Sequence, residues 1–341
     1  IFKMKFINLC LFIIFITNFS NSSFSNELNI YSHRQPYLLK PFLDAYTKKT
    51  GVKLNVVYAS KGLAQRLASE GKNTTADLIL TVDIGRLYIY KDKNLLAKIN
   101  SQVLNKNIPK HLRSDDGTWF GLSKRSRVIA VSKSSIKKGE IKRYEDLADP
   151  KWKGKVCSRP GSHVYNRALM SSLIATHGFD KALEWARGFV KNLAKRPQGN
   201  DRSQIKSIYS GECEIVIINH YYYGKLTYSD KKEHKEWAKS ARIIFPNQEK
   251  NDRGAHINIS GGGVVKHSKR KDEAIKFLEF LVSKEAQKLY GDVNYEYPIS
   301  SKFETPKKLK ALGSFREDKL LIEEIAILSP KAQEIIDTVY W

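Results

Sequence analysis

Tyr221, Tyr222 and Tyr223 stand side by side in the stretch Asn219-His220-Tyr221-Tyr222-Tyr223-Gly224. A phenol ionises near pH ~10, so such a cluster offers little to acid–base work at neutral pH. Beside a small trivalent cation the logic reverses: the charge of the metal drives the proton off and leaves a hard anionic oxygen. Hard oxygens suit hard cations. The chemistry on offer is therefore a ferric-ion site. Aromatic packing at the start of a helix is the competing reading, and three adjacent tyrosines taken alone favour it. Tyr223 is not expected among the ligands, because neighbouring helix residues point ~100° apart and three in a row cannot all reach one ion.

The elements around the cluster decide whether it can act. Glu214-Ile215-Val216-Ile217-Ile218 is a short apolar run that reads as a buried strand, so the tyrosines sit at its carboxyl end and open a helix. Ligands of open α/β sheets bind there. Upstream, Leu28–Ser32, Val52–Ala59 and Ala76–Thr81 read as strands, separated by helical patterns over 38–46 and 62–70, with Arg86–Leu96 as a third helix. Such alternation predicts a largely parallel sheet with helices on both faces. Further helices are expected ending near Gly178, over Lys181–Leu193, and from Asp272 to Tyr290 with Gly291 as the stop.

The composition sets the class. A chain of 341 residues, 41% hydrophobic and 28% charged, has room for two α/β lobes. Lys3 and Lys5, the apolar block Phe6–Phe19 and the small polar stretch that follows have the order of a secretory signal peptide, with cleavage expected after Ser25. The block is too short for a membrane span of ~20 residues. An exported chain of this kind would be periplasmic, and its two remaining cysteines, Cys157 and Cys213, are expected to pair. The net charge of +24 would attract nucleic acid or anionic surfaces. No recognition motif or dense basic arm accompanies it, so no nucleic-acid partner is expected. No nucleophile elbow, HExxH or Walker loop is present, which argues against an enzyme.

Several segments together resemble the bacterial ferric-ion-binding proteins of iron ABC transporters, a transferrin-like periplasmic family. They are Tyr31-Ser32-His33-Arg34-Gln35-Pro36, Ala76-Asp77, Gly121–Val128, Trp152-Lys153-Gly154-Lys155, Asn219–Lys225, Ile259-Ser260-Gly261-Gly262 and Glu296-Tyr297-Pro298. The resemblance implies a type II periplasmic binding fold of two α/β lobes joined by hinge strands. Lobe one would comprise 26–126 plus 258–302, and lobe two 127–257 plus 303–341, after a signal peptide at 1–25. It implies a monomeric solute-binding protein that delivers ferric iron to a membrane permease. The alternative is another solute on the same fold, such as an oxyanion or a polyamine.

By the same resemblance Tyr165, Tyr221 and Tyr222 are the Fe(III) ligands, three phenolates balancing the ferric charge. The family's lobe-one ligand is missing, since Gln35 and Pro36 occupy its place, and His33 and Tyr37 are close but out of register. A bound anion such as carbonate would fill the remaining coordination, held by Arg34 and Arg125, whose planar forks suit a two-oxygen anion.

Overall fold

The computed structural model describes residues 26–341. The expected signal peptide, with its cleavage point, lies outside the described residues. No helix among the described residues is long and apolar enough to cross a membrane.

Among the described residues nine strands form the sheet framework: β1 (Glu27–Ser32), β2 (Lys53–Tyr58), β3 (Leu78–Thr81), β4 (Phe120–Ser132), β5 (Val156–Cys157), β6 (Ile215–Asn219), β7 (Ala241–Ile244), β8 (Ile257–Val264) and β9 (Tyr297–Pro298). The order is β2-β1-β3-β8-β4-β6-β5, with β7 and β9 also paired to β4. The sheet is mixed, which corrects the largely parallel expectation. β1 runs parallel to β2 and β3, and β5 to β6, whereas every pairing of β4 and β8 is antiparallel. Strand–helix alternation identifies the parallel flanks, but it carries no signal for a long central strand of reversed direction.

β4 changes partners along its length. Phe120–Ser126 pairs with β8, and Arg127–Val131 pairs with β6. In its second half, successive side chains alternate between faces, as a strand requires. Ile129 and Val131 join Ile215 and Ile217 in one core with Trp185 and Phe189. Val128 and Ala130 join Val216 and Ile218 on the opposite face, against Ile205 and Ile208. Burial on both faces is why β6 reads as an unbroken apolar run. A separate core gathers Leu28, Ile30, Leu78, Phe120 and Phe277.

Four further differences from the sequence reading have local causes. The helix expected over Asp272–Tyr290 is two, Lys271–Leu281 and Lys284–Asn294, because Ser283 caps the second by accepting the Ala286 N–H. Gly291 is not its stop: the helix continues past it to a left-handed Tyr295, and Gly291 is small because Pro306 packs where a Cβ would stand. The helix Asp201–Tyr209, absent from the sequence reading, is opened by a capping box between Asn200 and Ser203. The tail from 303 is shared among clusters: Leu309 and Leu312 lie with Tyr221 and Tyr297, Ile322 and Ile325 enter the first core, and Ile335 and Ile336 enter the second.

Cys157 and Cys213 form a disulfide, with Cα atoms 5.8 Å apart. It joins the end of β5 to the approach to β6, the two strands that lead to the tyrosines.

Candidate metal centre

β6 ends at Asn219, and the helix His220–Thr227 begins at once, projecting Tyr221 and Tyr222 from its first turn. Tyr165 comes from the first turn of another helix, Val164–His177, capped by His163. The structure brings these separate segments together. The Tyr221 hydroxyl donates to the Tyr165 hydroxyl at 3.2 Å, and the Tyr221 and Tyr222 rings lie 4.4 Å apart, tilted. All three line one cavity of about 340 Å³, with His33, Arg34, Gln35, Tyr37, Arg125 and Glu296 among its other walls. Tyr223 is not among the cavity's lining residues and donates to the Ala241 carbonyl at 3.0 Å.

Cations face each ring. Arg159 lies 5.3 Å from the centre of Tyr165, Arg202 5.4 Å from Tyr222, and Lys225 5.8 Å from Tyr221. Without a metal Tyr221 and Tyr222 nonetheless stay protonated. Burial pushes both well above the ordinary phenol value, and the proximity of Tyr165 pushes both further. Burial also brings the Lys225 ammonium down to about 8, with Glu296 opposing and Arg34 assisting.

Arg34 and Arg125 both line the cavity, and both are already engaged. Arg34 donates through Nη2 to both oxygens of Glu296, at 2.8 and 3.1 Å, and to Ser260. Arg125 donates through Nη2 to the same Ser260 hydroxyl at 2.9 Å. Glu296 is buried, which would raise its pKa, but Arg34, Arg125 and the Ser123 hydroxyl hold it down to about 2. This carboxylate belongs to the family segment Glu296-Tyr297-Pro298. Nothing local marks it, because its partner is 262 residues away in sequence.

His33 lines the cavity, yet both its ring nitrogens are occupied, by the Ala59 carbonyl and the Tyr90 hydroxyl, each at 2.8 Å. Burial and Arg86 push its pKa down. Tyr37, largely exposed, opens the helix Pro36–Thr50 at the cavity's edge. His220 is spent on the scaffold: its Nδ1 accepts the Ser126 N–H at 3.1 Å, and its Nε2 donates to the Tyr295 carbonyl at 2.7 Å. Among the described residues, no three His, Cys, Asp or Glu side chains cluster in metal-holding geometry. The phenols are the donors this cavity has to offer.

Comparison with known proteins places the chain among its relatives. Residues 73–316 match the family model described as bacterial extracellular solute-binding protein. Iron uptake protein A1 of Synechocystis is 40% identical over 316 residues, covering 92% of this chain and 87% of that protein. Among solved structures, a Trichodesmium protein in complex with iron and citrate ligands is 44% identical, with a TM-score of 0.88 over 92% of this chain and 99% of that one. Ferric iron-binding protein A of Mannheimia haemolytica, solved in an open conformation, is 43% identical, with a TM-score of 0.86 over 92% and 98%. The expected type II periplasmic binding fold is the fold observed. With a family model matched across most of its length and close relatives spanning nearly all of it, the chain belongs to the bacterial extracellular solute-binding proteins, in their iron-uptake and ferric-ion-binding group.

Proposed function

We propose that this chain is an exported, non-catalytic receptor that binds ferric iron as cargo through Tyr165, Tyr221 and Tyr222 and delivers it to an ABC-transporter permease. The observation that carries the reading is the meeting of the Tyr165 and Tyr221 hydroxyls, 3.2 Å apart, from segments 56 residues apart in sequence. Two phenols brought oxygen to oxygen in a buried pocket gain most from a shared cation. Three phenolates neutralise a ferric ion, and the surrounding cations stabilise their ionised form.

The cargo enters between lobe one, 26–126 plus 258–302, and lobe two, 127–257, with the tail 303–341 divided between their cores. Lobe two supplies the phenols. Lobe one supplies Arg34 and Arg125, which hold a synergistic anion such as carbonate in the remaining coordination positions. A polyamine receptor would present free carboxylates, whereas the one in this cavity, Glu296, is already paired with Arg34.

Phenolate bound to ferric iron gives a visible charge-transfer band. The purified monomer should become coloured on addition of ferric nitrilotriacetate. Tyr222→Phe, which keeps the ring and loses the oxygen, should lose affinity by more than the about 10–100-fold that removal of an outer-shell partner costs. Full-strength coloured binding in that variant would remove Tyr222 from the ligand set.

A further inference from the structure

Behind the tyrosines lies a buried charge cluster centred on Asp201, a residue to which the ferric reading gives no role. Asp201, fully buried at the start of the helix Asp201–Tyr209, accepts from Arg127 Nη1 at 2.6 Å and from Arg159 Nη1 at 3.0 Å. It also accepts the Asn219 backbone N–H at 2.7 Å. Arg127 comes from β4 and Arg159 from the loop after β5. Arg127 also reaches Asn166 Oδ1, beside Tyr165, at 2.6 Å. The Asn219 side chain in turn donates to the Tyr221 hydroxyl at 3.2 Å. One carboxylate thus ties together every segment that carries a phenol of this site.

The cluster is also unbalanced in charge. Two guanidinium groups share one carboxylate, and the Nε of each is buried with no hydrogen-bond partner among the described residues. Both groups face the Tyr165 ring, with Cζ atoms 5.8 Å (Arg127) and 5.3 Å (Arg159) from its centre. A surplus positive charge therefore sits against the ring, on a residue placed to ligate the metal. A cation over an aromatic face stabilises the electrons of that ring, most strongly when desolvated.

We infer that Asp201, with Arg127 and Arg159, forms a positioning clamp that fixes the Tyr165–Tyr221 pair and sets the electronic energy of the iron-bound phenolate. This rests on the ferric reading above. In the charge-transfer transition an electron moves from phenolate to ferric ion. Positive charge near the ring holds that electron more tightly and raises the transition energy, and removing the charge lowers it.

The test is the visible spectrum and ferric affinity of wild type, Asp201→Asn, Arg159→Met and Arg159→Lys, each checked by thermal melting for a folded state. Asp201→Asn, which adds net positive charge, should shift the band to shorter wavelength and weaken ferric binding about 10–100-fold. Arg159→Met should shift the band the opposite way, to longer wavelength, and Arg159→Lys, which keeps the charge, should restore it toward wild type. A purely structural clamp would change stability and leave the band where it is. Unchanged bands and affinities, or shifts of both variants in the same direction, overturn the inference while leaving the ferric reading intact. Absence of any band in wild type overturns both. Should Asp201→Asn fail to fold, the Met and Lys variants of Arg159 decide the matter alone.

Discussion

A phenol held above its ordinary pKa is no anion until a metal arrives. Tyr221 and Tyr222 are in that condition, so both are protonated at neutral pH without a metal. As the proposed ligands they must lose those protons on loading, because the ligand form is the ionised one. About two protons, those of Tyr221 and Tyr222, should leave as a minimum per ferric ion bound, measured by pH-stat titration after correction for the released chelator, and affinity should fall as pH is lowered. Release of none would mean that the phenols do not ligate. Side chains of this kind are readable from sequence when their type is unusual for their place, as three adjacent tyrosines after a buried strand are. Glu296, Asp201 and Arg159 were not readable as site residues. Their importance comes from burial against partners distant in sequence, and an isolated charged residue looks the same whether it is solvated or buried.

Strands and most helices could be read because burial on one face leaves a periodic trace and burial on both leaves an unbroken apolar run. β6 is an example of the second. The helix Asp201–Tyr209 had a trace too, an Asn-x-x-Ser cap followed by Ile205 and Ile208, but it lies in a polar stretch that resembles a loop. β8 shows a different constraint. Its three successive glycines do not form a phosphate loop; they let neighbours approach, and a Cβ on Gly262 would stand 2.8 Å from the Ile79 carbonyl oxygen. Gly262→Ala should therefore destabilise the fold by about 1–3 kcal/mol, read from the shift in urea midpoint. His220 latches the point where β4 changes partners, and burial holds its pKa at about 4 against an ordinary 6.5. The unfolded chain takes up a proton between those values that the folded one refuses, so stability is full above pH 6.5 and falls as pH drops toward 4. The loss is on the order of 3 kcal/mol. His220→Gln should flatten that acid dependence between pH 7 and 4.5 in chemical denaturation, and an unchanged slope would assign it elsewhere.

Across the whole molecule, the proposed anion would join the phenols of one lobe to the arginines of the other. Ferric affinity should drop when carbonate is stripped from the buffer and recover when it is restored. Arg125→Ala should blunt the response more cleanly than Arg34→Ala, since the latter also strands Glu296. Indifference to the anion in wild type would point to Gln35 or Tyr37 instead. The two-lobed plan was readable because the family segments recur in order along the chain, while the division of the tail among three clusters was not, since short amphipathic helices do not announce which core they will join. Arg34 lies near the beginning of the described chain and Glu296 near its far end, and neither is comfortable in a buried place without the other. Folding therefore has a schedule. Until residue 296 is in place, the early guanidinium has no counter-ion and the first core cannot be sealed over it. Closures across so long a stretch of chain are slow, because the loop entropy must be overcome before the contact rewards it. The first core of such a chain closes only when almost its whole length is at hand, so a fragment ending short of residue 296 leaves Arg34 without its carboxylate.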